Sequence, residues 1–419
     1  MKILNFGSCN IDYVYRLDHI VNGGETEHGD SLDIFPGGKG LNQSVALARA
    51  GAKVFHAAIF GKDGAFLSDI LKSNGADVSL SKTVDEKNGH AIIQVNSDGE
   101  NAIIVYPGTN HLINKDYADC VLSHFEKGDF LILQNEINEL EYIINTAFTR
   151  GMKIILNPSP IRENLKKIDL NKLYCLVMNE HEAQEILGGE TAEQCLEKAE
   201  RELPETAVVI TLGKRGAVYS DSGKKVYQAA YEVKAADTTA AGDTFTGYFA
   251  AGLCRQEPIE KNLKQAAAAA AISVSRNGAA TSIPLLAEVC GLLPSMTERK
   301  IDKKAAEQLK ITENYIEKNL KQASLKGLAK ELNYSYNSVG KLVRSLTGMP
   351  FTEYLQAKRL NEAMRLLEET SLSVLEISNT VGYENDSFFR RKFKERFSVS
   401  PKQCRLNKGV VKNDKRAIY

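Results

Sequence analysis

The chain has 419 residues, of which 43% are apolar and 25% are charged, and its formal net charge is zero. This length predicts two or three domains, and the composition is typical of a soluble globular protein. No apolar run reaches the roughly 18–20 residues that a membrane helix needs, so we expect no membrane partner.

The N-terminal segment has neither a basic start nor a long apolar stretch, so we expect no signal peptide. Seven scattered cysteines, with no Cys-x-x-Cys pair, favour reduced thiols over a disulfide framework or a zinc site. Both features predict a cytoplasmic protein.

Charge is divided unevenly along the chain. Residues 296–419 contain 25 Lys and Arg against 15 Asp and Glu, a net charge of +10, so residues 1–295 hold the remaining 28 against 38, a net charge of −10. A basic C-terminal region is the electrostatic footprint expected of a protein that binds DNA. A solvated helix face is the alternative interpretation.

Up to about residue 295, short β-rich runs such as Lys153–Asn157 and Ala207–Leu212 alternate with helical stretches. This alternation predicts an α/β domain with a mainly parallel sheet and helices on both faces. Residues 11–36 and 89–106 interrupt the pattern. The second of these segments predicts a hairpin, with Ser97-Asp98-Gly99 at its turn, and such strands could form a lid over an active site.

After Pro294 the strand signals end. We interpret residues 296–310 as a linker, residues 311–407 as an all-helical domain and residues 408–419 as a basic tail. Helix Lys264–Val274 of the first domain contains six consecutive alanines, which predict a smooth helix for close packing.

The most informative string is Asp237-Thr-Thr-Ala-Ala-Gly-Asp-Thr-Phe245, between a strand-like segment and an apolar helix. Small residues at a helix start let free backbone N–H groups approach an anion. A carboxylate at Asp243 could take a proton from an attacking hydroxyl, and phosphoryl transfer needs little more than positioning and charge stabilisation. An ordinary glycine turn capped by Asp243 is the structural alternative.

This string resembles the second signature of the ribokinase (PfkB) family of carbohydrate kinases, and Pro36-Gly-Gly-Lys-Gly-Leu-Asn-Gln43 resembles the first. The resemblance runs from Ile3 to about Pro284. It implies a ribokinase-like fold over residues 1–295: a sheet flanked by helices, with a β lid.

The resemblance also implies site residues. Asp243 would be the catalytic base, with the backbone N–H groups of Ala240, Ala241, Gly242 and Asp243 as the anion hole. The implied sugar contacts are Asn10, Ile11, Asp12, Gly38, Lys39, Gly40, Leu41, Asn42, Glu136 and Asp243. Carboxylates and amides of this kind can bracket the hydroxyls of a polyol. Taken singly, Asn10 and Asp12 could instead be turn formers.

On the nucleotide side, Asn179-Glu-His-Glu182 resembles the family's NxxE motif, in which Asn179 and Glu182 would act on Mg²⁺ through water. Taken singly, Glu180 and Glu182 could instead be solvated helix residues. The implied ATP contacts are Asn179, Thr211, Leu212, Gly213, Lys214, Arg215, Gly216, Gly242 and Asp243. The implied positions of an activating potassium ion are Asp237, Thr239, Ser273, Arg276, Gly278 and Ser282.

We expect ATP as the phosphoryl donor and ribose as the sugar, because the glycine loop with Asn10 and Asp12 resembles ribokinase more than fructokinase. Two positions depart from the family. Ala267 stands where a nucleotide-facing His is common, and Tyr106–Asn110 differs from the usual His-Ala-Gly-Ala-Asn.

In the C-terminal region, Ser324–Leu332 predicts an amphipathic helix, followed by a short break and a second helix to about Leu346. A long helix, Phe351–Glu369, and a second such unit follow, in which Phe389, Phe393 and Phe397 recur every four residues. Helix, tight turn and helix is the arrangement that reads DNA.

This region resembles the AraC-type DNA-binding domain over residues 311–405, through such matches as Arg359-Leu360, Val381-Gly382-Tyr383 and Ser400-Pro401. The resemblance implies double-stranded DNA as partner. The implied base-reading candidates are Asn337, Ser338 and Lys341 in the first unit, and Asn385, Arg390 and Arg391 in the second. Val343 and Ser398 depart from the family's usual Phe and Gly. A helical docking module with a basic face is the alternative.

Three hypotheses follow. The chain could be an active sugar kinase fused to a DNA-binding transcription regulator, a regulator whose kinase-like domain only senses sugar or nucleotide, or a kinase whose basic domain does not read DNA. Lids of this kinase family can pair, so a homodimer is possible.

Overall fold

The computed structural model describes residues 1–97, 100–299, 303–347, 349–397 and 399–405, without the side chains of residues 303–306, 345 and 368. The chain divides into two compact units, Met1–Lys300 and Ile301–Tyr419. Each unit has hydrophobic clusters of its own.

The first unit alternates strands and helices. Its strands are β1 (Ile3–Phe6), β2 (Asn10–Arg16), β3 (Ser31–Gly37), β4 (Val54–Ala57), β5 (Ile59–Gly61), β6 (Lys82–Val84), β7 (Gly89–Val95), β8 (Asn101–Tyr106), β9 (Phe130–Gln134), β10 (Lys153–Asn157), β11 (Cys175–Asn179), β12 (Ala207–Thr211), β13 (Ala217–Asp221) and β14 (Lys224–Gln228). Its helices are α1 (Lys39–Arg49), α2 (Ala65–Ser73), α3 (Lys115–Leu122), α4 (Leu140–Thr149), α5 (Glu180–Leu187), α6 (Ala192–Glu202), α7 (Ala241–Cys254), α8 (Ile259–Val274) and α9 (Leu286–Leu292).

Eight of the described strands form the central sheet, in the order β14-β13-β12-β11-β10-β9-β1-β4. The pairs from β4 to β12 are parallel, and β13 and β14 add an antiparallel edge. Successive side chains of a strand point to opposite faces. Thus Phe130 and Ile132 of β9 lie in one hydrophobic cluster, whereas Leu131 and Leu133 lie in the other. The predicted α/β fold is confirmed.

A smaller sheet forms the lid, with the order β3-β2-β7-β8. The predicted hairpin is confirmed, since β7 and β8 pair antiparallel from His90 with Tyr106 to Val95 with Asn101. Of its predicted turn, Asp98 and Gly99 lie outside the described residues. Strand β2 follows β1 after the short turn Gly7-Ser8-Cys9, so the lid connects directly to the end of a strand of the central sheet.

Close packing of α7 places the start of that helix against α1. A Cβ atom at Gly247 would stand 2.4 Å from the Cβ of Ala46, so only glycine allows this approach. On the other side, Ala266, Ala268 and Ala269 of α8 are fully buried. The alanine-rich helix therefore packs as its sequence predicted.

The second unit is helical in its described residues. Its helices are α10 (Lys303–Asn319), α11 (Leu325–Leu332), α12 (Tyr336–Thr347), α13 (Phe351–Glu369), α14 (Val374–Thr380) and α15 (Asp386–Phe397). Helix α10 begins eight residues before position 311, inside the segment interpreted as a linker, because residues 303–310 are rich in good helix formers. The segment 408–419 lies outside the described residues.

Two separate cores divide this unit into halves. Val339, Val343 and Phe351 belong to the first core, and Ile377, Phe389 and Phe393 belong to the second. Helix α13 contributes to both, so it joins the halves. Within the described residues, no helix combines the length and the apolar character required to cross a bilayer.

Candidate active site and candidate DNA-binding surface

Asp243 lies in the first turn of α7 and is 6% exposed. Its Oδ2 accepts a hydrogen bond from Asn42 Nδ2, and its Oδ1 accepts one from Gln43 Nε2, both at 3.0 Å. Donors on both oxygens fix the plane of the carboxylate. The family's base position is therefore an oriented, buried carboxylate.

The backbone before Asp243 turns through Ala240, whose φ of 58° is left-handed. The N–H of Ala241 donates to Thr238 O at 3.3 Å, whereas the N–H groups of Gly242 and Asp243 have no acceptor in the part of the chain that the structure describes. Free N–H groups at a helix start form an anion site. Of the four predicted anion-hole positions, Ala240, Gly242 and Asp243 thus have N–H groups without an acceptor among the described residues, and Ala241 does not.

Lys39 is the cation of the site. The charge of Asp243 raises the pKa of Lys39, burial opposes this, and the charges of Glu136 and Glu182 add to the increase. Lys39 is therefore an ammonium ion within electrostatic reach of carboxylates from the sugar side and from the nucleotide side.

The sugar side is built from β2, the glycine loop and the end of β9. One carboxylate oxygen of Glu136 accepts hydrogen bonds from the Ser8 hydroxyl and, at 2.9 Å, from the Lys39 N–H. Asn10 Oδ1 accepts from Asn110 Nδ2 at 2.7 Å. Ile11 and Leu41 instead bury their side chains in the core. At these two positions only the backbone is available to a ligand.

Glycines allow the loop to reach the end of β1. Gly38 has a φ of 91°, and a Cβ at Gly40 would stand 2.3 Å from Ser8 N. A Cβ at Gly37 would stand 2.1 Å from Asp12 Oδ2, so the Asp12 carboxylate lies directly on the loop backbone. Burial and repulsion from Glu136 raise the pKa of Asp12 to about 7. Asp12 and Glu136 therefore lie close enough for their charges to interact.

The NxxE residues cap α5. Asn179 Oδ1 accepts from Glu182 N at 2.8 Å, and Glu182 Oε2 accepts from Asn179 N at 2.9 Å, which is a capping box. The other oxygen of Glu182 has no protein donor among the described residues, and Glu182 is within electrostatic reach of Lys39. The motif thus has a structural role that leaves one carboxylate oxygen for a hydrated ion.

The predicted ATP loop connects β12 to β13. Gly213 and Gly216 have φ values of 56° and 111°, and a Cβ at Gly216 would stand 2.0 Å from Gln228 O. Thr211 Oγ1 donates to Met178 O at 3.3 Å, Leu212 is partly buried and Lys214 is exposed. The Arg215 guanidinium is not free, because it binds both oxygens of Glu180.

The predicted potassium positions come from the segment before α7 and from the end of α8 with the loop that follows it. Asp237 Oδ1 accepts from the N–H and hydroxyl of Thr239, and its Oδ2 accepts from Gly278 N at 3.1 Å. Burial acts to raise the pKa of Asp237, but these hydrogen bonds together outweigh burial and lower it. The hydroxyls of Ser273 and Ser282 bond to each other at 2.7 Å.

The side chains at the potassium positions are therefore satisfied by the protein itself, and the Arg276 guanidinium pairs with Glu288. The carbonyl oxygens of Thr239, Arg276 and Gly278 have no donor among the described residues. A potassium ion at these positions would be held by carbonyls, which are ligands of the type that hard cations prefer.

Sequence reasoning missed a buried polar chain beneath Asp243. Gln43 Oε1 accepts from Gln134 Nε2 at 2.7 Å, and the same Gln134 nitrogen donates to Asn5 Oδ1 at 2.9 Å. The available signal was an amide in each of two apolar strands, Asn5 in β1 and Gln134 at the end of β9. Unpaired amides rarely occur in such strands.

In the second unit, α12 presents the first set of candidate DNA contacts. Asn337, Ser338 and Lys341 are all exposed on this helix. Ser338 Oγ lies 2.8 Å from Ser335 Oγ, at the helix start. Val343, a departure from the family, is fully buried in the first core. Ser398, the second departure, lies outside the described residues.

Helix α15 presents the second set, which is partly engaged. Asn385 Oδ1 caps the helix by accepting from Phe388 N at 2.9 Å. Arg390 pairs with Asp386 and Arg391 with Glu395 on the same helix. These exposed pairs are weak in water, so both guanidinium groups can exchange them for a stronger anion.

Comparison with known proteins agrees with both units. The model of pfkB family carbohydrate kinases matches residues 1–286, and the model of a helix-turn-helix domain matches residues 328–407. The ribokinase of Schizosaccharomyces pombe is 36% identical over 315 residues, which cover 70% of this chain and 97% of that protein. A deoxyribokinase of Salmonella typhi is 30% identical and covers 68% of this chain and 96% of its own length.

Solved structures agree as well. The ribokinase of Cryptococcus neoformans in complex with ADP has a TM-score of 0.62 and 31% identity, covering 69% of this chain and 99% of that one. The Arabidopsis thaliana ribokinase complexed with ribose and ATP has a TM-score of 0.62 and 27% identity, covering 70% and 98%. Through its first unit the chain belongs to the pfkB family of carbohydrate kinases, and this sugar kinase is followed by an AraC-type helix-turn-helix domain.

Proposed function

We propose that the first unit transfers the γ-phosphoryl group of ATP to D-ribose, giving ribose 5-phosphate, and that the second binds DNA sequence-specifically as a transcription regulator. The observation that carries the kinase proposal is Asp243, a buried carboxylate held by Asn42 and Gln43 beside the free N–H groups at the start of α7.

The proposed reaction uses Asp243 as the base. It accepts the proton of the attacking sugar hydroxyl, and that oxygen forms the new bond to the γ-phosphorus as the bond to ADP breaks. The N–H groups of Gly242 and Asp243 then stabilise the negative charge on the transferring group, with the ammonium of Lys39 nearby. The site thereby supplies both a proton acceptor and charge stabilisation.

The sugar pocket supports a polyol substrate. Asn10, Asp12 and Glu136 converge from β2 and from the end of β9, and Asn42 Oδ1 is buried without a hydrogen-bond partner. A buried acceptor without a partner favours a ligand hydroxyl, which would donate to it. Similarity to ribokinases supports ribose, whereas similarity to a deoxyribokinase makes 2-deoxyribose the natural competitor.

The proposed cofactors are a magnesium ion bound with ATP and an activating potassium ion. Magnesium bound with ATP neutralises phosphate charge, and the free oxygen of Glu182 next to Asn179 suits one of its water ligands. Arg215, which Glu180 holds in place, would fix the predicted ATP loop, Thr211–Gly216, for the nucleotide. An activating potassium ion would be held by the carbonyls of Thr239, Arg276 and Gly278.

The kinase proposal is tested by ADP release from the full chain with ribose, 2-deoxyribose and fructose. We expect ribose to give the highest kcat/KM, and Asp243→Asn to lower kcat by about 10²- to 10⁴-fold, the usual contribution of a general base. Asp69→Asn, an exposed position on α2, is the matched control. Wild-type turnover by Asp243→Asn would refute the assignment of the base.

The DNA-binding unit on the same chain favours a second candidate, in which the kinase fold senses sugar or nucleotide without significant turnover. Calorimetry separates the two candidates. Ribose binding with no Asp243-dependent ADP release would identify a sensor, whereas turnover at ordinary kinase rates identifies an enzyme that also regulates.

The proposed DNA surface consists of Asn337, Ser338 and Lys341 on α12, with Asn385, Arg390 and Arg391 at α15. Exposure of these residues at the starts and outer faces of two helices supports major-groove contacts. Gel shifts on the upstream region of its own operon should show a specific band that ribose modulates. Equal, weak binding of all duplexes would favour a kinase whose basic domain does not read sequence.

A homodimer through the lid completes the proposal. Leu32, Ile34 and Ile104 are exposed apolar residues on one face of the lid sheet, whereas Ile103 and Val105 are exposed on the other face. Exposed apolar surface of this kind favours an interaction surface. Sedimentation should give a dimer that Ile104→Glu dissociates, whereas Leu285→Glu, at an exposed apolar residue outside the lid, should not. A monomeric wild type would refute this pairing.

A further inference from the structure

Three buried amide side chains, Asn5, Gln134 and Gln43, form a directed chain of hydrogen bonds that ends on Asp243. We call these three residues the amide relay. Each of them is fully buried. Gln43 contacts Asp243 directly, whereas the side chains of Asn5 and Gln134 contact neither Asp243 nor any predicted ligand residue other than Gly40, through its carbonyl.

The orientation of the relay is set by a backbone group. Asn5 Nδ2 donates to Gly40 O and to Ser44 Oγ, both at 2.7 Å. A carbonyl oxygen can only accept, so the Asn5 nitrogen must face Gly40 and its Oδ1 must face Gln134. Gln134 Nε2 therefore serves as donor at both of its contacts, to Asn5 Oδ1 and to Gln43 Oε1.

Gln43 is consequently left with one possible orientation. Because its oxygen faces Gln134, its Nε2 points to Asp243 Oδ1 at 3.0 Å and to Asn157 Oδ1 at 3.2 Å. Reversing this amide would place its oxygen against a buried carboxylate and leave donors unpaired, which is costly in a buried site.

The end of the relay at Asn5 connects through Ser44 and His56 to the residue before β2. Ser44 Oγ lies 2.8 Å from His56 Nδ1, and His56 Nε2 lies 3.1 Å from the sulfur of Cys9, the residue before Asn10. Burial lowers the pKa of His56 to about 3 and raises the pKa of the Cys9 thiol, so both groups are neutral. This end is a rigid neutral support and not a source of charge.

We propose that Asn5 and Gln134 are positioning residues of phosphoryl transfer, which act through Gln43 to present a fixed N–H donor to Asp243. The relay keeps the catalytic carboxylate in one orientation, and its anchor at Gly40 O fixes that orientation relative to the sugar-contacting glycine loop. The inference rests on the proposed function, in which Asp243 is the base.

A double-mutant cycle on the full chain tests this role. We expect Gln134→Met and Gln43→Met each to lower kcat by about 10- to 100-fold, the cost of a small misplacement of a catalytic group, with the KM values for ribose and ATP little changed. If Gln134 acts only through Gln43, the double variant has the kcat of Gln43→Met. Gln265→Met, another buried glutamine of the same domain, is the control and should keep wild-type kcat.

Wild-type kcat in Gln134→Met, a loss confined to KM, or a double variant that shows the product of both losses would overturn the relay. If Gln134→Met does not fold, Gln43→Glu provides the second test. It replaces the amide donor by a second acceptor beside Asp243, so kcat should fall at least as far as in Gln43→Met, with the KM values little changed. An unchanged kcat counts against the proposal.

The Asp243→Asn variant separates this inference from the proposed function. If Asp243→Asn is as active as wild type, the base assignment itself fails. If it is inactive while the relay variants turn over normally, the relay alone fails.

Discussion

Replacement of Asp12 by Asn should make the stability of the kinase domain less dependent on pH. The pKa of Asp12 is raised from its ordinary 3.8 to about 7 by burial and by the charge of Glu136. Between those values only the unfolded chain releases the proton, so stability falls as pH rises. Below the lower value both states are protonated, and the stabilising contribution is complete.

The size of the stability loss follows from the pH interval over which only the unfolded chain is deprotonated at Asp12. From pH 5 to pH 7 the loss is at most about 1.4 kcal/mol per pH unit, or roughly 2.7 kcal/mol in all. Asp12 is partly exposed, and solvent screening reduces this to about 1–2 kcal/mol. Asn does not titrate, so the advantage of Asp12→Asn over wild type should widen by that amount between pH 5 and pH 8.

Scanning calorimetry of the sugar-free protein at both pH values measures this change. At about 2 °C per kcal/mol for a large domain, the gap in Tm should widen by roughly 2–4 °C. Glu136→Gln should reduce the pH dependence, because it removes the second cause of the raised pKa, and Asp69→Asn should leave it unchanged. A gap that is the same at pH 5 and pH 8 would refute the reasoning.

Three further predictions concern other parts of the chain. Gly382→Ala should lower the stability of the helical unit by more than about 1 kcal/mol in calorimetry, because its φ is 94° and an added Cβ would stand 2.7 Å from Lys321 O. Glu180→Gln should raise the KM for ATP about 2- to 5-fold with little change in kcat, since Arg215 loses an exposed ion pair. Lys341→Ala should weaken specific DNA binding by about 1–3 kcal/mol in gel shifts, whereas Lys330→Ala on α11 should not.

Each of these predictions has a contrary result. An unchanged melting transition in Gly382→Ala would mean that the turn before Tyr383 relaxes without cost. A fall in kcat with constant KM for ATP in Glu180→Gln would place that pair in the chemical step. Equal losses for Lys341→Ala on specific and unrelated duplexes would make Lys341 a phosphate contact.

Sequence patterns predicted the elements well where local chemistry decides them. Alternation of apolar strands and helices predicted the α/β unit, and the breaks after Leu332 and at Gly382 predicted the two helix pairs, because turns and caps are local signals. Residues 303–310 were interpreted as part of a linker but belong to α10. A charged, helix-prone run resembles a linker in sequence, and only the fold shows that Gln308 Nε2 of this run donates a hydrogen bond to the Tyr334 hydroxyl.

Contacts between distant residues could not be predicted in the same way. Gln134 and Gln43 are 91 residues apart, and only the packing of helix α1 against strands β1 and β9 brings them together. The NxxE motif indicated an ion site but not the reciprocal cap between Asn179 and Glu182. Similarly, the guanidinium groups of Arg215 and Arg390 are basic in sequence but engaged by carboxylates in space.

Helix α13 has a mechanical consequence for any DNA that this protein holds. Its 19 residues span about 28 Å at 1.5 Å per residue, somewhat less than one turn of B-DNA at about 34 Å. One end of α13 packs in the first core and the other end in the second, so the spacing between α12 and α15 cannot increase without breaking a helix. This spacing would therefore be fixed in a complex with DNA. A duplex whose two contact segments do not match this spacing would have to bend, so the protein should distinguish stiff from pliable sequences even at base pairs that no side chain touches.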